Sequence, residues 1–277
     1  GVFPSLVPFE TVGLDSSKPY GFVGQIRSNV GSSSGFLIKP RVVATAGHVV
    51  FDDGTLSAVT GLQWLFQRHR GTHEPAPKTP RGFYVFDGYA AQRSAENTPG
   101  SSSPQSQHLD AAAIYFLEDV GRGGASGYLA SDLDDNEFLL SASDKVLAGY
   151  PVDGIPSSNQ GRMHATSPMN ALFARGYGRT FTSSDIRGAG GMSGGPLCVL
   201  HDNGSYYPTA IYLGGSGQSV VRAIDSGVID LFNRAEISGN GGDNQTGGGI
   251  THTSVSSIGT TSAPGVLKVT IQPASAR

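Results

Sequence analysis

Glycine and proline interrupt this chain so often that long regular elements have little room to form. The sequence contains 40 Gly and 16 Pro, while hydrophobic residues make up 38% of it and charged residues 15%. The apolar residues fall into short runs bounded by Gly, Ser or Pro, which is typical of strands joined by tight turns. The composition is too apolar for a disordered chain and too rich in Gly and Pro for a helical bundle. We therefore predict an all-β fold.

The apolar runs place strands along most of the chain. The predicted strands are residues 21–26, 34–38, 41–46, 61–66, 82–86, 111–117, 145–150, 161–165, 197–200 and 209–213. Two long polar stretches, residues 67–81 and 91–107, are predicted to be surface loops.

The last part of the chain changes character twice. Residues 225–234 begin with Asp and Ser as possible caps and then carry apolar side chains at helical spacing, which predicts one amphipathic helix. From residue 238 to 265 the chain is mostly Gly, Ser, Thr and Asn, a composition typical of linkers. Residues 266–271 then alternate like a strand.

Charge and cysteine content exclude several classes of protein. The formal net charge is −3 and the sequence pI is near 6.2, which argues against a dedicated nucleic-acid binder. There is no apolar run long enough for a membrane span. The single cysteine, Cys198, excludes an internal disulfide and a cysteine zinc cluster. The weakly charged, Gly-, Ser- and Thr-rich composition indicates an exported protein, either secreted or periplasmic.

The most informative motif is residues 190–196, GGMSGGP. A serine hydroxyl is a poor nucleophile unless a base lies beside it and backbone N–H groups face the oxyanion that forms on attack. Glycines on both sides of Ser193 let the backbone turn tightly and leave its amides unobstructed. The alternative interpretation is a plain glycine-rich turn that ends at Pro196.

Two further motifs supply groups that such a serine requires. An apolar strand at residues 42–45 leads into a turn of small residues that ends at His48, and imidazole transfers protons near neutral pH. Asp110 stands at the head of the apolar run 111–117, where a carboxylate could orient that imidazole. Asp87 is a rival to Asp110 because it also ends an apolar strand.

The order of His48, Asp110 and Ser193, each in its local context, resembles the chymotrypsin-like serine proteases. That family carries motifs of the form T-A-A/G-H, D-I-A-L and G-D-S-G-G-P. The chain is more similar to the bacterial glutamyl-endopeptidase branch, which has a G-Y-P-like turn, here residues 149–151. The same branch has an H-W-G-G-like strand end, here residues 212–215 (YLGG).

The resemblance implies two six-stranded antiparallel β-barrels of the chymotrypsin type, followed by a C-terminal helix, with the active site between the barrels. The expected divisions are a protease domain at 1–238, barrels at about 15–120 and 121–225, a helix at 226–237, a linker at 239–265 and a final strand at 266–277. That last strand either docks on the domain or begins a further β domain.

The resemblance also implies a role for each motif residue. Ser193 would be the nucleophile, His48 the general base and then general acid, and Asp110 the group that holds the imidazole tautomer. The backbone N–H groups of Gly191 and Ser193 would form the oxyanion hole. The substrate would be a protein or peptide, and the chemistry needs no metal and no organic cofactor.

The chain departs from the family at the position before the nucleophile. Animal proteases have an Asp there, which pairs with a newly formed N-terminal amine when the enzyme is activated. Here the residue is Met192, which cannot form an ion pair. We therefore expect no activation by that salt bridge.

The expected substrate pocket also departs from the family. It would be lined by Arg187, Gly188, Tyr212, Leu213, Gly214 and Gly215. Tyr212 replaces a His with which glutamyl endopeptidases read an acidic side chain, and Gly188 replaces a Thr or Ser. Arg187 falls on the pocket floor, where it would pair with a carboxylate, be neutralised by Asp185, or instead point outwards to solvent. The pattern favours acidic or small neutral residues over basic ones before the scissile bond.

Some alternatives remain open from sequence. The domain could have lost catalysis and serve as a binding or adhesion module, or it could be a hydrolase that prefers esters. The acidic cluster of Asp132, Asp134, Asp135 and Glu137 is either a calcium site or, as its lack of a recognised loop pattern favours, a solvated turn.

Overall fold

The computed structural model describes residues 6–8, 19–131, 137–255 and 270–271. Its strands are β1 (Leu6–Pro8), β2 (Val23–Ser28), β3 (Gly31–Lys39), β4 (Val42–Thr45), β5 (Phe51–Asp52), β6 (Ser57–Ala58), β7 (Gln63–Phe66), β8 (Gly82–Phe86), β9 (Ser101–Ser102), β10 (Ala112–Tyr115), β11 (Lys145–Gly149), β12 (His164–Thr166), β13 (Ala174–Arg175), β14 (Thr180–Ser183), β15 (Pro196–Leu200), β16 (Tyr206–Gly214), β17 (Ser219–Ala223), β18 (Ile250–Ser254) and β19 (Thr270–Ile271).

Helices are few and mostly short. They are α1 (Gly88–Glu96), α2 (Pro104–Gln107) and α3 (Ser226–Gly239), with 3₁₀ turns at Tyr20–Phe22, Gly47–Val49, Phe138–Leu140 and Ser157–Asn159. None of the helices in the described ranges has the length and apolarity that a membrane crossing requires. The calcium hypothesis rests largely on residues 132–136, which lie outside the described residues.

Two large antiparallel sheets form the body of the fold. The first has seven strands in the order β18-β8-β10-β4-β3-β2-β7, and the second has eight in the order β1-β12-β11-β15-β16-β17-β14-β13. The predicted all-β class, the two-part architecture and the C-terminal helix are confirmed. Each sheet has more than the six strands that were predicted, because β18 extends the first sheet and β1 and β13 add an edge strand at either side of the second.

The C-terminal helix packs on the first sheet, although it follows the second in the chain. At its N-terminus the Asp225 carboxylate accepts a hydrogen bond from the Val228 amide at 3.1 Å, as an N-cap does. Leu231, Phe232 and Ala235 are buried in the core of the first sheet. The predicted helix is therefore confirmed, and it extends to Gly239.

Helix α1 contradicts the prediction of a loop over residues 91–107. Its buried face consists of Tyr89 and Arg93, so it lacks the apolar periodicity by which a helix is detected. The Arg93 guanidinium is buried and binds the Asp53 carboxylate, with the Nε–Oδ1 distance at 3.1 Å. A buried ion pair, rather than an apolar stripe, holds this helix against the turn that follows β5.

The linker predicted at 239–265 is wrong for residues 250–254. They form β18, which pairs antiparallel with β8 along its full length. The hydroxyl of Tyr84 shares a hydrogen bond of 2.7 Å with the Ser238 hydroxyl and accepts another from the Gln245 amide at 2.9 Å. At the chain end, Thr270–Ile271 pairs parallel with β9, so this part of the predicted final strand docks on the domain.

Removing the Tyr84 hydroxyl is expected to weaken this C-terminal attachment. Tyr84→Phe leaves the Gln245 amide without a partner among the described residues and leaves the Ser238 hydroxyl only its 3.4 Å bond to the Asp243 carbonyl, so the free energy of unfolding should fall by about 1–3 kcal/mol. Urea unfolding of the purified proteins measures the change. Tyr128→Phe is the control, because the Tyr128 ring packs on Phe232 while its hydroxyl has no hydrogen bond to any described residue. Equal stability of the two variants would contradict the proposed role of the Tyr84 hydroxyl.

Candidate active site

Strand register brings His48 and Asp110 together. Strands β4 and β10 are antiparallel neighbours, with Thr45 opposite Ala112. His48 lies in the 3₁₀ turn just after β4, and Asp110 lies just before β10. Both residues therefore emerge at the same end of the first sheet.

The His48–Asp110 contact is short and fully buried. Asp110 Oδ2 lies 2.7 Å from His48 Nδ1, and Oδ1 accepts a hydrogen bond from the His48 backbone N–H at 2.8 Å. The side chains are 1% and 0% exposed. A Cβ on Gly47 would lie 3.1 Å from Asp110 Oδ1, so a small residue before His48 allows the carboxylate to approach. Two contacts from one carboxylate fix both the position and the ring orientation of the histidine.

The rival carboxylate, Asp87, has a different partner. It lies at the start of α1 with its side chain exposed, and it accepts a hydrogen bond from the Thr251 hydroxyl of β18. Asp110 is thus the residue that contacts His48, as the sequence context favoured.

The turn that carries Ser193 packs against the segment that carries His48. The Ser193 carbonyl accepts a hydrogen bond from the Ser34 amide of β3 at 2.9 Å. A Cβ on Gly194 would lie 3.1 Å from the Ala46 amide nitrogen and would also overlap the Thr45 hydroxyl. Glycine after Ser193 is therefore required for the second sheet to meet the first at this point.

The Ser193 hydroxyl is not hydrogen-bonded to His48 in this structure. It donates a long hydrogen bond to the Leu213 carbonyl at 3.4 Å. His48 Nε2 is buried and has no hydrogen-bond partner among the described residues. The structure thus contains a histidine oriented by a carboxylate, with its second ring nitrogen open to receive a partner.

Two backbone amides beside Ser193 are held in a defined direction. The Gly190 carbonyl accepts a hydrogen bond from the Val152 amide at 2.7 Å, and the Met192 carbonyl accepts one from the Gly195 amide at 2.9 Å. In a trans peptide the N–H of the next residue points opposite to the carbonyl, so the N–H groups of Gly191 and Ser193 point away from these bonds. Neither N–H has an acceptor among the described residues. Both are available to an incoming oxyanion.

The Met192 side chain packs in the core and forms no ion pair. Its side chain is fully buried in the core of the second sheet, and its sulfur lies 3.4 Å from the Ala189 amide nitrogen. An apolar side chain at this position stabilises the turn without an ion pair.

The Tyr212 ring lies beside Gly188, another residue predicted to line the substrate pocket. A Cβ on Gly188 would lie 2.7 Å from Cε2 of the Tyr212 ring, so a side chain at residue 188 would collide with the ring. Burial raises the pKa of the Tyr212 hydroxyl to about 12, which keeps the phenol neutral. The ring that packs on Gly188 is therefore uncharged.

Arg187 lies at the edge of this region rather than on a buried floor. It is partly exposed, and its guanidinium donates a hydrogen bond to the Gly217 carbonyl at 2.7 Å. It does not pair with Asp185, whose carboxylate accepts a hydrogen bond from the Leu172 amide at 2.8 Å. The arginine charge is therefore carried at the surface, between the Asp185 segment and the turn that joins β16 and β17.

Comparisons with known proteins agree with this arrangement. The family model described as "Trypsin-like peptidase domain" matches residues 33–205. A glutamyl endopeptidase from Bacillus licheniformis is 24% identical over 138 residues, which is 50% of this chain and 38% of that protein. The chain therefore spans well under two thirds of this relative's length.

Solved structures show the same overall fold. A Glu endopeptidase in complex with MPD aligns with a TM-score of 0.64 at 18% identity, over 85% of this chain and 98% of its own. The protease Anisep from Arthrobacter nicotinovorans aligns with a TM-score of 0.56 at 16% identity, over 79% and 97%. A thermostable serine protease, AL20, gives 0.58 at 16% identity, over 78% and 97%. The predicted chymotrypsin type of fold is confirmed.

Proposed function

Because the chain belongs to the trypsin-like peptidase family, we propose that it is a serine endopeptidase in which Ser193, His48 and Asp110 perform the reaction. The observation that carries the proposal is the buried His48–Asp110 pair beside the Ser193 turn, with His48 Nε2 unpartnered among the described residues. A structural histidine buried to this degree normally has both ring nitrogens satisfied.

The first half of the reaction forms an acyl-enzyme. The Ser193 hydroxyl turns from the Leu213 carbonyl to His48 Nε2, gives up its proton, and attacks the substrate carbonyl carbon. The carbonyl oxygen becomes an oxyanion that accepts hydrogen bonds from the N–H groups of Gly191 and Ser193. His48 then donates the proton to the amine nitrogen, the C–N bond breaks, and an ester joins Ser193 to the substrate.

The second half reverses these roles with water as nucleophile. His48 takes a proton from water, the hydroxide attacks the ester, and Ser193 leaves with the proton returned by His48. Asp110 stabilises the imidazolium in both halves, because its Oδ2 lies 2.7 Å from the protonated Nδ1. The scheme needs only side chains and amides of this chain together with water.

A digest of a diverse peptide pool tests the activity itself. The native protein is expected to cleave internal peptide bonds, and a sample first blocked with a serine-directed fluorophosphonate is expected to cleave none. Mass spectrometry of the products reports every cleavage site. Absence of cleavage by the native protein would contradict the proposal and favour a binding module with the same fold.

We further propose that the enzyme prefers an acidic residue before the scissile bond. The Arg187 guanidinium makes one hydrogen bond to the Gly217 carbonyl and no ion pair with any described carboxylate. The guanidinium is therefore a cation with unused N–H donors, one residue before the Gly188 that packs on Tyr212, and a carboxylate is the group that pairs best with it. The similarity to a protein named glutamyl endopeptidase supports the same preference.

Neutralising Arg187 is expected to remove this preference. For two peptides that differ only by Glu or Gln before the cleaved bond, Arg187→Gln should lower the Glu/Gln ratio of kcat/KM by about 10- to 100-fold, the value of a charge-assisted hydrogen bond. Arg41→Gln is the matched control, because Arg41 forms an exposed ion pair with Asp119. An unchanged Glu/Gln ratio in Arg187→Gln would contradict the assignment.

A further inference from the structure

We infer that Ser34 is a positioning residue whose side-chain hydroxyl holds the oxyanion hole in its binding conformation. The inference rests on the proposed function, since it concerns how the Gly191 and Ser193 amides are aligned. Ser34 lies on β3 of the first sheet, far from the Ser193 motif in sequence. Its only contribution to the reaction would be through the backbone that it contacts.

The Ser34 hydroxyl is buried and connects two segments of the second sheet region. Its oxygen accepts a hydrogen bond from the Tyr150 amide at 2.7 Å, and the hydroxyl donates one to the Gly191 carbonyl at 2.8 Å. An amide can only donate and a carbonyl can only accept, so these partners fix the direction of the hydroxyl proton. A Cβ on Gly149 would lie 2.9 Å from the Ser34 oxygen, so glycine at that position keeps the approach open.

Together with two backbone hydrogen bonds, the bond from Ser34 to Gly191 holds the three successive peptide groups between Gly190 and Ser193 in place. The Val152 amide holds the Gly190 carbonyl at 2.7 Å, and the Gly195 amide holds the Met192 carbonyl at 2.9 Å. The peptide between them is held through the Gly191 carbonyl by Ser34. Gly191 has φ of 99°, a conformation that glycine enters and leaves at little cost. Without the hydroxyl, the central peptide can rotate and misalign the flanking N–H groups.

The backbone of Ser34 also links the nucleophile to the histidine strand. Its N–H donates to the Ser193 carbonyl at 2.9 Å, and its carbonyl accepts from the Thr45 hydroxyl at 2.8 Å. Thr45 ends β4, just before the turn that contains His48. Ser34 therefore contacts three parts of the site: the Gly191 peptide, the Ser193 turn and the strand that leads to His48. Of these three, only the Gly191 peptide is contacted by its side chain.

Ser34→Ala tests the inference by how the kinetic constants change. We expect kcat to fall by about 10- to 100-fold, less than the loss of a whole oxyanion donor, while KM stays within about twofold. The Ki of a peptide boronic acid, which forms a tetrahedral adduct, should rise in parallel with the fall in kcat. Rates are normalised to the active fraction from end-point fluorophosphonate titration, so that misfolded protein does not contribute.

Two further variants separate positioning from general stability. Ser33→Ala lies one residue along the same buried strand, on the opposite face, and should leave kcat within about twofold. Ser34→Cys keeps a weak donor and acceptor and should lose about threefold to tenfold in kcat, which also serves if Ser34→Ala does not fold. A kcat within threefold of the native value for Ser34→Ala, or an equal loss in Ser33→Ala, would overturn the inference. Turnover surviving in Ser193→Ala would instead overturn the proposed function.

Discussion

Replacing Ser193 with alanine is expected to lower kcat for a peptide substrate by about five to six orders of magnitude, the loss seen when a serine nucleophile is removed. The change deletes one oxygen atom at a turn held by backbone bonds: the Ser193 carbonyl to the Ser34 amide and the Gly194 amide to the Tyr212 carbonyl. Within the described part of the chain, the only side-chain hydrogen bond removed is the long one to the Leu213 carbonyl, at 3.4 Å. The fold should therefore be unchanged while covalent chemistry is lost.

Stopped assays on a purified variant measure this loss against the native protein. Thermal unfolding of both proteins checks that stability is retained, and KM or inhibitor binding checks that substrate still binds. A residual kcat within tenfold of the native value would show that Ser193 is not the nucleophile. If the variant were instead unfolded under the assay conditions, its loss of activity would no longer be evidence for a chemical role of Ser193.

Replacing Asp110 with asparagine is expected to lower kcat by about four orders of magnitude. Both carboxylate oxygens accept hydrogen bonds from His48, at 2.7 Å from Nδ1 and 2.8 Å from the backbone nitrogen. An amide has one acceptor oxygen and a donor nitrogen, so it cannot accept both bonds. The amide nitrogen of the new side chain then either faces an N–H donor or forces His48 into its other tautomer. In that tautomer Nε2 already carries a proton and cannot accept the one from Ser193.

The exposed carboxylate of Asp87 provides the matched control. Asp87→Asn keeps the oxygen that can accept from Thr251, so we expect kcat to remain within about threefold of the native value. Steady-state kinetics of the two variants under one set of conditions make the comparison. A larger loss in Asp87→Asn than in Asp110→Asn would reverse the assignment of the orienting carboxylate.

Many elements held by apolar packing could be predicted from the sequence, although β17 (Ser219–Ala223), which is also buried in the core, was missed. The apolar runs gave strands such as β8 (Gly82–Phe86), and the spaced apolar residues after Asp225 gave helix α3. Elements held by polar contacts could not. Helix α1 depends on the buried pair of Arg93 and Asp53, and β18 comes from a stretch so polar that it resembles a linker.

The same distinction applies to the candidate site. The motifs around His48, Asp110 and Ser193 are local, so each could be found from its neighbours in sequence, and the register of β4 and β10 then brings the first two together. Ser34 could not be found in this way, because its hydroxyl partners are 116 and 157 residues away. The position of the Arg187 side chain could not be predicted either, because it depends on a hydrogen bond to the carbonyl of Gly217, 30 residues away.

Mapping the site of fluorophosphonate attachment tests directly whether Ser193 is the nucleophile. The native protein is treated with the reagent, its intact mass is measured, and the modified peptide is sequenced by mass spectrometry. We predict one adduct per chain, on Ser193, with peptide cleavage lost in proportion to labelling. A folded protein that cleaves peptides but carries its adduct on another residue, or carries none on Ser193, would contradict this prediction.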